Sequence, residues 1–196
     1  MNRSLRIAVA DDEADMRDYF QDILPDLGHQ VVAVASNGRE LVERCRAGQV
    51  DLVITDIKMP EMDGIDAARE ITRAMNLPFI LVSAYHDPEL IERAGASHVM
   101  AYLVKPIEQA DLATAIAVAR RRFDEFQALR GEAASLRQAL EDRKTIERAK
   151  GILMKRADLD EGTAFERLKK LARSENRKMV DVAKMIVLAE KAMETP

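Results

Sequence analysis

Four short strings within the first 107 residues carry side chains that could do chemistry together. They are Asp11-Asp12-Glu13, Asp56 with Ile57-Lys58-Met59-Pro60 after it, Ser83, and Lys105-Pro106. Carboxylates crowded into one place repel one another and raise each other's pKa unless a cation neutralises them. An oxygen-only donor set suits Mg²⁺, which takes one or two carboxylates plus a phosphoryl group. These strings offer none of the thiolates or paired imidazoles that zinc or copper favour. With a divalent ion beside it, the Asp56 carboxylate could attack a phosphoryl donor and become an acyl phosphate. Lys105 could then supply an ammonium, and Ser83 a hydroxyl, to the transferred oxygens. Acidic residues at strand ends also serve as helix caps. Four such ends in order, with Asp63-Gly64 following the third, favour the chemical reading.

The elements around these strings must bring them together. Short Val-, Ile- and Leu-rich runs at 6–10, 30–35, 51–55, 79–83 and 100–104 read as strands, most of them covered on both faces. Between them, helical patterns place Met16, Phe20, Ile23, Leu24 and Leu27 on one side of 15–27. Similar patterns place Leu41, Val42 and Cys45 on 38–47, and Ala68, Ile71 and Met75 on 65–75. Strands alternating with helices predict a doubly wound five-stranded parallel α/β sheet, flavodoxin-like, with its site at the carboxyl ends of the strands.

Composition narrows the classes. With 47% hydrophobic residues in 196, the chain can bury a core, and its single Cys45 excludes an internal disulfide framework or a Cys-rich zinc site. No apolar run approaches the roughly 18 residues of a membrane span. The first residues run straight into a strand and leave no room for a signal peptide, so a cytoplasmic protein with no membrane partner is expected. No Trp, three Tyr and five Phe argue against a base-stacking sheet. Charge divides along the chain: residues 1–120 carry a net −8 and residues 121–196 a net +4, with +6 inside 143–184. Such a change of sign suggests two modules with different partners.

After Pro106 no proline appears until Pro196, and strand patterns vanish. Residues 108–143 read as one long helix interrupted only by Gly131. Along it Phe126, Leu129, Ala133, Leu136 and Leu140 recur at alternating spacings of three and four, the seam of a short coiled coil. The same stripe could instead fold back onto its own chain. Three further helices follow in a small all-α unit. The pattern at 145–156 presents Ile146, Ala149, Leu153 and Met154. A second helix at 162–174, capped by Asp160, is expected to bury Ala164, Phe165, Leu168 and Leu171. A third, introduced by Asn176, carries Met179, Val182, Ala183, Ile186 and Val187.

The acidic, hydroxyl and lysine positions together make residues 5–120 resemble the receiver domain of two-component response regulators. The resemblance implies that Asp56 is the phosphoacceptor, served by a sensor histidine kinase. It implies Mg²⁺ held directly by Asp12 and Asp56, by Asp11 through water, and by the main-chain carbonyl of Lys58. It further implies that Lys105 contacts the phosphoryl group, that its peptide to Pro106 is cis, and that Ser83 shifts toward the phosphate. Tyr102 falls at the aromatic switch position, which turns inward when Ser83 moves. Ala84, being small, leaves the phosphoryl group accessible. The surface expected to change is that of the helix between strands four and five, strand five, and the helix after it.

Residues 121–143 then read as a helical linker or coiled coil. The stretch 135–190 resembles the ANTAR output domain, through Ala149-Lys150-Gly151-Ile152-Leu153-Met154, Ala164-Phe165, Leu168, Ala172 and Asn176-Arg177-Lys178-Met179. That family implies binding of RNA hairpins, transcription antitermination and phosphorylation-dependent homodimerisation. The candidate surface is the basic set Arg148, Lys150, Lys155, Arg156, Lys169, Lys170, Arg173, Arg177 and Lys178. Arg148, Lys150, Arg177 and Lys178 are preferred because they lie inside the family strings, and side-chain-free Gly151 would allow close approach. Met154 and Phe165 are read as core. Two other outputs stay open: a DNA-binding regulator, and a receiver whose helical tail binds a protein.

Overall fold

The computed structural model describes residues 4–84 and 99–194. Its strands are β1 (Arg6–Ala10), β2 (Gln30–Ala35), β3 (Leu52–Asp56), β4 (Phe79–Ser83) and β5 (Val99–Val104). They form one parallel sheet in the order β2-β1-β3-β4-β5, the fold class the alternating pattern predicts. Helices α1 (Ala14–Asp26), α2 (Gly38–Ala47) and α3 (Gly64–Ala74) follow the first three strands.

Side chains alternate across a strand with period two, and that alternation sorts the core into two layers. Ile7, Val9, Ile54, Ile80 and Val82 pack with Phe20 and Leu24 of α1 and with Leu112, Ile116 and Ala119. Ala8, Ala10, Val53 and Phe79 pack with Leu41, Val42 and Cys45 of α2 and Ala67, Ala68 and Ile71 of α3. Strand β3 starts one residue later than expected because Asp51 is engaged sideways: its carboxylate accepts the backbone N–H and the Nε–H of Arg6, each at 3.0 Å. Helix starts are set by side-chain caps. Asn37 Oδ1 accepts the Glu40 N–H at 2.9 Å, and Asp63 Oδ1 accepts the Asp66 N–H at 2.7 Å.

The break expected near residue 144 does not occur: α4 (Gln109–Ala157) is one helix of 49 residues. No Pro or Gly stands at that point, and the Thr145 hydroxyl donates back to the Glu141 carbonyl at 2.8 Å instead of capping a new helix. Helix α4 ends at Asp158, in the left-handed region with φ 51°, where the Leu159 N–H reaches the Met154 carbonyl at 3.2 Å. Asp160 then caps α5 (Glu161–Ser174) as expected, accepting the Thr163 N–H at 3.0 Å. The last helix is α6 (Met179–Glu194).

The chain divides into two compact units, residues 1–127 and 128–196. The second has a small core of Ala149, Leu168, Ala172, Val182 and Ala183, edged by Ile146, Leu153, Met179, Ile186 and Val187. Two expectations are corrected there. Leu171 is 41% exposed, because the inward row of α5 runs Ala164, Leu168, Ala172 at four-residue steps. Phe165 is only half-buried. On α4, Leu129, Leu136 and Leu140 are 59–65% exposed, so α5 and α6 of the second unit do not cover the stripe. No helix among the described residues is long and apolar enough to cross a membrane.

Candidate functional site

At the carboxyl edge of the sheet the strand ends converge as expected. The Lys105 ammonium lies 3.0 Å from Asp11 Oδ2, 3.4 Å from Asp56 Oδ1 and 3.2 Å from Glu13 Oε1. Asp11 is fully buried and Asp56 is 6% exposed. The loops are tied down around them. The Glu13 N–H donates to Asp11 Oδ1 at 3.0 Å and the Lys58 N–H to Asp56 Oδ2 at 2.8 Å. The Lys105 N–H donates to the Ser83 carbonyl at 2.8 Å, joining the ends of β4 and β5.

Electrostatics follow from this packing. Burial, reinforced by the neighbouring Asp11 charge, pushes the Asp56 carboxyl up to about 6 against the pull of Lys105 and the Lys58 N–H. Burial also raises Asp11. Burial draws Lys105 down, but Asp11, Asp56 and Glu13 outweigh it and leave its pKa raised. One ammonium thus faces three carboxylates. Carboxylate oxygens of Asp11, Asp12 and Glu13 also lie within 4.8 Å of one another. This excess of negative charge on oxygen donors fits a hard divalent cation.

The remaining positions are distributed around that centre. Asp12 is exposed beside it, and Lys58 is exposed on the loop after β3. Ser83 is buried at the end of β4, and Ala84 is exposed just beyond. Tyr102 is half-buried on β5 against Ile57, Ile65 and Leu81. The Lys105–Pro106 peptide is cis. The helix expected between β4 and β5 falls in 85–98, outside the described residues.

Two contributors had no assigned role in the sequence reading. Arg17 Nη1 donates to the carbonyls of Asp11 and Asp12 at 2.8 and 2.9 Å, fastening the acidic loop to the first turn of α1. Gly64 is the other: a Cβ there would lie 2.0 Å from the Asp56 carbonyl oxygen. Their signals were an arginine one helical turn past the acidic string and a glycine at a helix start.

The second unit sorts its basic residues sharply. Lys150 is 7% exposed, and its ammonium contacts Glu161 at 2.8 Å and Glu147 at 2.9 Å, 5.9 Å from the Phe165 ring centroid. Arg148 and Gly151 are exposed on α4, and a Cβ at Gly151 would have no neighbour within 4 Å. Arg177 and Lys178 are exposed in the turn between α5 and α6. That turn is fixed by Asn176, at φ 54°, with the Asn176 N–H donating to the Arg173 carbonyl and the Arg177 N–H to the Ala172 carbonyl. It brings Arg177 and Lys178 to one groove with Phe165, Lys169, Arg173 and Met179.

Comparisons with known proteins agree with this division. Residues 7–117 match the response regulator receiver domain, and residues 134–187 match the ANTAR domain. The transcriptional regulatory protein PdtaR of Mycobacterium tuberculosis is 41% identical over 182 residues, covering 93% of this chain and 89% of that protein. The chemotaxis protein CheY of Thermotoga maritima is 36% identical over 112 residues, 57% of this chain and 93% of CheY. Among solved structures, a response regulator receiver domain protein from Clostridium thermocellum aligns at 30% identity with a TM-score of 0.56. It covers 62% of this chain and 98% of that one.

Proposed function

The chain belongs to the response regulators, with a receiver domain followed by an ANTAR domain, and on that premise we propose a phosphorylation-controlled protein that binds RNA hairpins and acts by transcription antitermination. The family is one of regulators, not of enzymes. The observation that carries the proposal is the approach of Asp11 and Asp56 to the Lys105 ammonium, at 3.0 and 3.4 Å, at the carboxyl edge of the sheet.

Asp56 is the phosphoacceptor, and a sensor histidine kinase is the donor's source. Attack of its carboxylate on the phosphorus forms the acyl phosphate and expels the donor's leaving group. Asp11, Asp12, Asp56 and the Lys58 carbonyl would hold Mg²⁺, which when bound neutralises the carboxylates and the phosphoryl oxygens. Lys105 moves from its carboxylate partners to the new phosphoryl oxygens, and the Ser83 hydroxyl donates to them. The space Ser83 leaves admits the Tyr102 ring, which biases the surface around β5 between two states.

The output acts in the cytoplasm on transcripts. Arg148, Gly151, Arg177 and Lys178 belong to its RNA surface, and the open leucine stripe of α4 supports homodimers that form on phosphorylation. The open face of α6 carries Asp181, Lys184, Met185 and Leu188, few polar side chains to read base edges, which favours RNA over promoter DNA.

Labelling from acetyl phosphate with Mg²⁺, followed by titration with hairpin RNA and with duplex DNA, tests the reading. Label on Asp56 with salt-sensitive, hairpin-selective binding that changes on phosphorylation is expected. Selective duplex binding, or no nucleic-acid binding at all, would overturn it.

A further inference from the structure

We infer that the groove between the end of α5 and the start of α6 receives an unpaired base from an RNA loop, stacked on Phe165 and held by phosphate contacts from Arg173, Arg177 and Lys178. This rests on the RNA reading above and specifies which surface reads the RNA and how.

Three observations carry it. The groove has a volume of about 650 Å³, and the half-buried Phe165 lines it. Four cations line the same groove, Lys169 and Arg173 from α5 and Arg177 and Lys178 from beyond the left-handed turn at Asn176. Among the described residues, Arg173 and Lys178 have no carboxylate partner, whereas Lys169 pairs with Glu166 at 3.2 Å and the Lys150 ammonium is held by two carboxylates. A cation already neutralised by Glu147 and Glu161 has little charge to offer a phosphate. Arg173 and Lys178 beside an aromatic ring complement a single-stranded segment, since every base has a face to stack and phosphates flank it on both sides.

The inference moves Lys150 from the contact surface to the support of the groove. Its ammonium sits against the Phe165 ring and ties α4 to the first turn of α5. Specificity by stacking also predicts a preference for hairpins whose loops can turn a base outward, over fully paired stems.

Binding of the full-length chain to RNA stem-loops with a fixed stem and a randomised loop tests this, with the same stem closed by a polyethylene glycol linker as comparison. The expected results are salt-dependent binding of the loop pool and weak binding of the linker-closed stem. Arg173→Gln and Lys178→Gln should each weaken binding several-fold and lower the salt slope by about one. Phe165→Leu should cost about tenfold at unchanged slope while Phe165→Tyr binds as the parent does, which separates lost stacking from lost folding. Lys144→Gln, an exposed change elsewhere on α4, should bind as the parent does. Loop-dependent binding indifferent to Arg173, Lys178 and Phe165 would overturn the groove and leave the RNA reading standing. Equal binding of the linker-closed stem would overturn the stacking. No salt-sensitive RNA binding by the parent chain would overturn the reading beneath both.

Discussion

Gly64 lies so close to Asp56 that a methyl group on it would sit 2.0 Å from the Asp56 carbonyl oxygen and 3.0 Å from Thr55 Oγ1. The approach is held by the Gly64 N–H donating to the Ile57 carbonyl at 2.9 Å. The start of α3 and the loop bearing Asp56 and Lys58 are thereby locked together, so the phosphoacceptor's position depends on a residue with no chemistry of its own. Gly64→Ala must therefore displace that loop. Loss of more than about 2 kcal/mol of stability is expected, with acyl-phosphate formation slowed. Urea melts and acetyl-phosphate labelling check both, and an unperturbed variant would refute the contact.

Asp56→Asn should abolish the acyl phosphate and also stabilise the metal-free fold. Burial raises the Asp56 carboxyl to about 6, so its ionised form opposes folding above that pH. Removing the charge should return on the order of 1–3 kcal/mol at neutral pH. Denaturant midpoints in chelator measure it. The gain should shrink when Mg²⁺ is added, because the parent alone then has its charge neutralised.

His29 makes the opposite contribution to the pH profile. Its Nδ1 accepts the Leu5 N–H at 3.3 Å, and the ring is 8% exposed, in a cavity with Arg120, Arg121, Asp124 and Glu125. The two arginines pair with the two acids on their own helix. Burial lowers the His29 pKa, so the unfolded chain takes the proton more readily. The stability it supports is complete above the unfolded value of about 6.5 and falls as pH drops through it. Asp56 titrates with the contrary sign in the same range, so the difference between parent and His29→Gln isolates the effect. A flatter fall in urea midpoint below about pH 6.5 is expected for the variant.

The leucine stripe of α4 gives a separable test. Leu136→Glu places a charge where a seam between two copies would close, while Leu136 itself is 61% exposed in the single chain. The monomer's stability should therefore change by no more than about 0.5 kcal/mol. Light scattering should show self-association of the phosphorylated parent and none of the variant.

Much of this was legible from residue types alone, for definite reasons. Strand and helix periodicities are local, so the five parallel strands and the cap at Asp160 could be read directly. The strand-end chemistry was legible too, because a parallel sheet brings the ends of its strands to one edge whatever lies between. Folded packing decided what depends on neighbours distant in sequence or on register around a helix. Whether α4 broke at Thr145 turned on a hydroxyl's choice between capping and back-bonding. Which of Leu171 and Ala172 faced inward turned on one step of helical phase. Lys150 and Lys178 are the same residue type in matching strings, and only the folded chain sets them apart: two glutamates surround one and leave the other open. Charge type is a property of the sequence, but whether a charge is spent or available depends on what three dimensions place beside it.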